Sequence, residues 1–144
     1  MDATSEPGRV LGLDLGDVRI GVAISDPDRR LAVPLGTVHT GAPADLKAIA
    51  ELVREHEVTL VVVGHPLLLS GEVGDRARKA ESFAAALDGF LSIPVALQDE
   101  RLSTVEADRA LREAGASGRE RRRAVDRSAA TVILQAYLDA VPRA

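Results

Sequence analysis

The stretch that most limits what this chain can fold into is residues 10–26, V-L-G-L-D-L-G-D-V-R-I-G-V-A-I-S-D. Two apolar runs, 10–15 and 19–25, flank the turn residues Gly16, Asp17 and Val18. Runs this short, joined by a Gly-Asp break, predict a β-hairpin rather than a helix. In the first run Gly12, Asp14 and Gly16 fall at alternate positions and so share one face of the strand. Two missing side chains clear room on either side of one carboxylate. A carboxylate set among Val and Leu is costly to bury without a hydrogen-bond network, an arginine or a metal ion. Two readings of Asp14 follow: a structural aspartate paired with Arg19 across the hairpin, or a metal ligand facing a phosphate.

The rest of the chain supplies the context. Residues 31–39, L-A-V-P-L-G-T-V-H, read as a third strand, and Pro34 confines it to an edge or a bulge. Residues 44–57 predict a helix with Leu46, Ile49, Ala50 and Val53 on one face and Asp45, Lys47, Glu51 and Arg54 elsewhere. The β-branched run 58–64, V-T-L-V-V-V-G, suits a strand buried on both faces of a parallel sheet. Residues 64–74 read as a loop whose Leu67, Leu68 and Leu69 suggest a partner surface or packing over the sheet edge. A second helix is expected over 75–90 and a short strand over 95–98. Ser103-Thr104-Val105-Glu106 has capping-box spacing and opens a third helix to about Glu113. A basic linker with Arg121, Arg122 and Arg123 leads to a last helix starting at Asp126, with Ala129, Ala130, Ile133, Leu134, Tyr137 and Leu138 on its face. The order β-β-β-α-β-α-β-α-α implies an α/β fold: a five-stranded mixed sheet, three antiparallel strands and then alternating elements, flanked by helices.

At 144 residues the chain suits one domain, expected over 10–141 behind a flexible tail at 1–9. The start is acidic and polar, unlike a secretory signal, no apolar stretch reaches the ~20 residues of a membrane span, and a cytoplasmic location is the expectation. The absence of cysteine excludes disulfides, thiolate nucleophiles and zinc–cysteine sites. A net charge of −4 argues against a uniformly basic coat for nucleic acid, and Phe83, Phe90 and Tyr137 are too few to stack single-stranded bases. Residues 101–127 break the pattern: eight Arg against five acids give a local +3, which favours a binding edge there.

Three carboxylates from three elements are candidates for one site. Ligands of open α/β sheets bind at the carboxyl ends of the parallel strands, where Glu100 falls. Asp126 stands at the head of the last helix on its sheet-facing stripe, and Asp14 lies on the hairpin. Each has an ordinary alternative: Glu100 pairs with Arg101 or caps the Ser103 helix, and Asp126 is a helix N-cap. As a cluster they raise one another's pKa values unless a cation neutralises them. Carboxylates without Cys or a nearby His select hard cations, Mg²⁺ or Mn²⁺. Two such ions about 3.5–4 Å apart activate a water and stabilise the leaving oxygen of a phosphodiester, which is nuclease chemistry.

Four segments in order, D14-L-G-D-V-R-I-G-V-A-I-S-D, V-V-V-G-H-P-L, D99-E-R-L-S-T and V125-D-R-S-A-A-T-V-I-L-Q-A-Y-L, resemble the YqgF/RuvX family from about Val10 to Leu138. The resemblance implies an RNase H-like fold similar to that of the Holliday junction resolvases. It implies processing of precursor 16S ribosomal RNA, with junction or flap-DNA cleavage as the alternative. It also implies Asp14, Glu100 and Asp126 as the acidic, metal-holding site. Arg19 and Arg101 are the basic residues of those motifs, for phosphate or for holding the carboxylates, with a structural salt bridge as the alternative. Arg121, Arg122 and Arg123 are candidates for nucleic-acid backbone, or simply a solvated face. His65 departs from the family, which usually has an apolar residue there; it is either a general base or phosphate contact, or a tolerated loop substitution. The expected partners are precursor rRNA or branched DNA, the ribosome, and a second copy, since a two-fold dimer suits symmetric cutting of a four-way junction. Two other classes compete: a non-catalytic ribosome- or transcription-associated binding module, and a nucleotide-binding ATPase. The D-x-G hairpin fits the ATPase, but no second domain and no G-x-x-x-x-G-K-[ST] loop supports it.

Overall fold

The computed structural model describes residues 8–101 and 128–141. The helix expected at 103–113, the linker with Arg121, Arg122 and Arg123, and Asp126 lie outside the described residues. Within them the chain runs β1 (Arg9–Leu15), β2 (Arg19–Ser25), β3 (Ala32–His39), α1 (Ala44–Glu55), β4 (Val58–His65), α2 (Asp75–Phe90), β5 (Val95–Asp99) and α3 (Ala129–Ala140). The five strands form one sheet in the order β3-β2-β1-β4-β5. β1 pairs antiparallel with β2 and parallel with β4, β2 pairs antiparallel with β3, and β4 pairs parallel with β5. The expected mixed sheet is therefore present, with the hairpin strand β1 at its centre.

Alternation along the strands divides the core in two. Leu11, Leu13, Ile20, Val22, Val61 and Val63 face α1 and α2, where Ile49, Ala80, Ala84 and Leu87 meet them. Val10, Ala23, Leu60 and Val62 face α3, against Ala130, Ile133, Leu134 and Leu138. β4 is covered on both sides, which is why its sequence is a continuous apolar run rather than an alternating one. β3 is an edge strand, and its register shifts where Val22 pairs with Gly36 but Ala23 with Pro34. Proline cannot donate to a ladder, so it is confined to such an edge.

Several local expectations change. β1 takes in Arg9, one residue early. α1 stops at Glu55, because Glu57 adopts a left-handed backbone with φ of 54°. Asp45, placed off the apolar face of α1 by the sequence, is buried. Its carboxylate accepts from the backbone N–H of Gly41 (3.0 Å) and of Leu46 (2.7 Å), so the charge is satisfied where the helix begins. Phe90, the last residue of α2, is exposed. α3 begins at Ala129 rather than Asp126, and its cap is Ser128, whose hydroxyl accepts from the Thr131 N–H at 3.3 Å.

Gly12 shows what one of the hairpin glycines is for. A Cβ there would lie 2.7 Å from Leu134 Cβ and 3.3 Å from the Ala130 carbonyl oxygen. The missing side chain admits α3, not a ligand beside Asp14. Gly12→Ala is expected to lever α3 off the sheet and cost about 1–3 kcal/mol, as overpacking does. Thermal unfolding checks this, with a Tm lowered by roughly 2–4 °C for each kcal/mol in a chain of this size. Among the described residues no helix is long and apolar enough to cross a membrane.

Candidate active site

Asp14 lies one residue beyond the last β1–β4 pair, Leu13 with Val63, so its lateral neighbour on β4 is Gly64. Both positions continue the face that meets α3. Glu100 follows β5 directly, and its backbone N–H donates to the His65 carbonyl at 3.2 Å. This contact turns the chain back over the end of β4. The Glu100 side chain then occupies the space that Gly64 leaves: a Cβ on Gly64 would be 2.6 Å from Glu100 Oε2 and 2.7 Å from Ile133 Cδ1. Glu100 is only 2% exposed. Two carboxylates far apart in sequence thus stand over neighbouring strands, on one face, at the carboxyl edge of the parallel pair. Asp14 is half-buried, and Gly21 is opposite it on β2. A Cβ on Gly21 would make only ordinary contact with Asp14 Cβ, at 3.7 Å.

The motif arginines occupy two different settings. Arg19 begins β2, exposed and diagonal to Asp14, since the residue directly across from Asp14 is Gly21. Arg101 pairs with Asp99 rather than with Glu100: Nε donates to Oδ2 at 2.9 Å and the backbone N–H donates to Oδ1 at 2.9 Å. That side-chain bond to Arg101 is the main reason the Asp99 carboxyl is held below its ordinary pKa, against a smaller opposing effect of burial. Arg101 also lies against Gly71, with a Cβ there 2.9 Å from Nη1, so the loop before α2 and the end of β5 are clasped together.

His65 is not in a loop. It closes β4 on the α1/α2 side of the sheet, opposite to the carboxylates, and its Nε2 is 2.7 Å from Glu81 Oε2 of α2. The imidazole ties strand to helix rather than facing Asp14. Leu68 and Leu69 are exposed as expected, in a turn closed by the Leu68 N–H to the Glu72 carbonyl at 3.0 Å. Among the described residues no group of three His, Cys, Asp or Glu is close enough to hold a metal. Asp14 and Glu100 are two of the three expected ligands, and Asp126 lies outside the described residues.

A cleft of about 320 Å³ opens at the same sheet edge, with Glu100 and Gly64 in its wall. The β1–β2 turn contributes Gly16 and Asp17, and α2 contributes Arg76 and Lys79. Gly16 shapes that turn: its N–H meets the Arg19 carbonyl at 3.0 Å, and a Cβ would lie 2.5 Å from the same oxygen. Sequence reading missed Gly64, Arg76 and Lys79. Gly64 carried the one local signal, as the break in an otherwise β-branched strand.

Comparison with known proteins gives concordant results. The family model for RuvX, described as a Holliday junction resolvase, matches residues 8–140. A protein of Anaeromyxobacter dehalogenans (strain 2CP-C) named "Putative pre-16S rRNA nuclease" is 51% identical over 132 residues, covering 91% of this chain and 96% of its own. A Roseiflexus protein of the same name is 44% identical over 137 residues, covering 94% of this chain and 97% of its own. Among solved structures, Thermus thermophilus RuvC in complex with a Holliday junction substrate superposes with a TM-score of 0.51 at 15% identity, covering 92% of this chain and 94% of the other. That likeness is one of fold: the sheet and its helices form the RNase H-like arrangement. With the family model matched from the first strand through the last helix, and full-length relatives at about half identity, the chain belongs to the RuvX family.

Proposed function

We propose that the chain is a metal-dependent endonuclease that hydrolyses phosphodiester bonds in structured nucleic acid, with the precursor of 16S rRNA as its substrate. The observation that carries this reading is the buried Glu100 carboxylate seated over Gly64, one strand from Asp14. A carboxylate so enclosed is expensive unless it serves a charge. Asp14, one strand away, is a second carboxylate, and a pair of oxygen donors suits Mg²⁺ or Mn²⁺ rather than a softer ion. Asp14 and Glu100 would hold the metal, with Asp126 as the third ligand expected from the sequence. When bound, the ion supplies a nucleophilic water near neutral pH and offsets charge on the phosphate.

The chain's own contribution is positional. β1, paired with β2 at Gly21, fixes the backbone that carries Asp14. Gly64 and Ile133 fix where Glu100 can lie. Such positioning is worth most when set before the substrate arrives. The names of the relatives favour rRNA processing, which would place the protein with the ribosome in the cytoplasm. The family description favours a second substrate, the four-way DNA junction, and a two-fold pair of copies would suit it.

The test is cleavage of matched precursor-rRNA, flap and four-way junction substrates with Mg²⁺, with Mn²⁺ and with chelator. Metal-dependent cutting of the rRNA precursor is the expected result. Cutting of junctions alone shifts the reading to a resolvase. Binding without cleavage under every condition replaces it with a non-catalytic module.

A further inference from the structure

We propose that Arg76 and Lys79 of α2 form a phosphate-binding subsite that holds the nucleic-acid backbone beside the bond being cut. The proposal rests on the nuclease reading of Glu100 and extends it to residues outside the four motifs.

Residues three apart on a helix lie on one face. Arg76 and Lys79 are such a pair, and both line the cleft whose wall includes Glu100. Arg78, between them, points elsewhere, with its guanidinium on Asp75 Oδ1 and the Val73 carbonyl, each at 3.2 Å. Arg76 and Lys79 thus line the cleft, while Arg78 is held on the helix's own first turn. Ala77 and Ala80 are buried beneath that turn, so the backbone carrying the two cations sits close on the sheet. The cleft's far wall is Gly16, Asp17 and Thr40. The Thr40 hydroxyl donates to the Gly16 carbonyl at 2.8 Å, which steadies the turn.

The chemistry of this lining selects a phosphodiester rather than a base. Among the described residues no aromatic lines the cleft, so they offer a nucleobase no surface on which to stack. The cations and the backbone-rich turn suit a sequence-independent contact. Lys79 lies 3.7 Å from Asp17, and both side chains are largely exposed. Exposed pairs of this kind contribute little and exchange readily. Asp17 then acts as a stand-in anion, covering Lys79 until a phosphate displaces it. A guanidinium and an ammonium in the same cleft wall as Glu100 attract the strand while leaving its reacting phosphate to the acidic site.

The test is equilibrium binding of the full chain, in chelator so that nothing is cut, to a labelled four-way DNA junction and to a labelled rRNA precursor, over a range of KCl. For the Arg76→Ala/Lys79→Ala double variant, affinity is expected to fall by about tenfold or more, and the log–log salt slope to decrease by roughly two. Arg78→Ala is expected to bind as wild type. Asp17→Ala is expected to bind several-fold tighter, because Lys79 loses its competitor. If only one labelled substrate responds, that arm identifies the strand the subsite serves. A double variant with wild-type affinity and slope, at an unchanged melting temperature, overturns the assignment while wild-type cleavage leaves the nuclease reading standing. Wild type that neither binds nor cuts overturns both.

Discussion

Asp14→Asn is expected to leave the protein folded and to remove divalent-dependent cleavage. Asn keeps the size and shape of the side chain at a half-buried position, so strand pairing around it should persist. It loses the charge and one of two oxygen donors. A hard cation held by carboxylates contributes several kcal/mol to the transition state, and each 1.36 kcal/mol is tenfold in rate. The expected loss is therefore about a thousandfold or more, read as a single-turnover rate with saturating Mn²⁺. Glu100→Gln should fall as far. An Asp14→Asn protein that melts like wild type and still cuts at full rate would remove the acidic site from the mechanism.

The second large effect is expected at a residue with no side chain. Gly64→Ala places a methyl group 2.6 Å from Glu100 Oε2 and 2.7 Å from Ile133 Cδ1. Both atoms are ends of flexible side chains, so the strand can survive by pushing them aside. The fold then loses little while the carboxylate moves. A displacement near 1 Å at a reacting centre costs about a hundredfold. Gly64→Ala is thus expected to lose cleavage by that order with only a small drop in Tm. This separates it from Gly12→Ala, whose obstacle is the Leu134 Cβ and the helix backbone, and whose effect should be mainly on stability. Equal losses of rate and stability in both variants would show that Gly64 matters only for packing.

The sequence was readable wherever one strand or one helix decides the outcome. Alternation in β1 and β2 set the hairpin and its faces, the β-branched run of β4 announced a doubly covered strand, and Pro34 announced an edge. Glu100 was readable from its place after a strand end. What stayed hidden needed a second element to be known. Gly12 reads as room for a ligand until Leu134 is seen to fill it. Asp45 reads only as a residue off the apolar face, because a helical wheel does not show the Gly41 N–H that it accepts from. Glu100 and Arg101 read as partners because they are adjacent, but successive residues leave a strand end on opposite sides, and Arg101 finds Asp99. His65 reads as a neighbour of the acids until strand parity carries its ring to Glu81. Arg76 and Lys79 read as one more charged helix surface until the β1–β2 turn is set across from them.

The seat of Glu100 has a consequence for how the protein comes into being. Ile133, which backs that carboxylate, belongs to the helix that follows every described strand. During synthesis the sheet can assemble while the side that α3 will roof is still bare. Until that helix docks, Ile133 is not yet in place against the glutamate. A nascent chain should therefore be structured before it is competent, and competence should arrive in one step with the final helix.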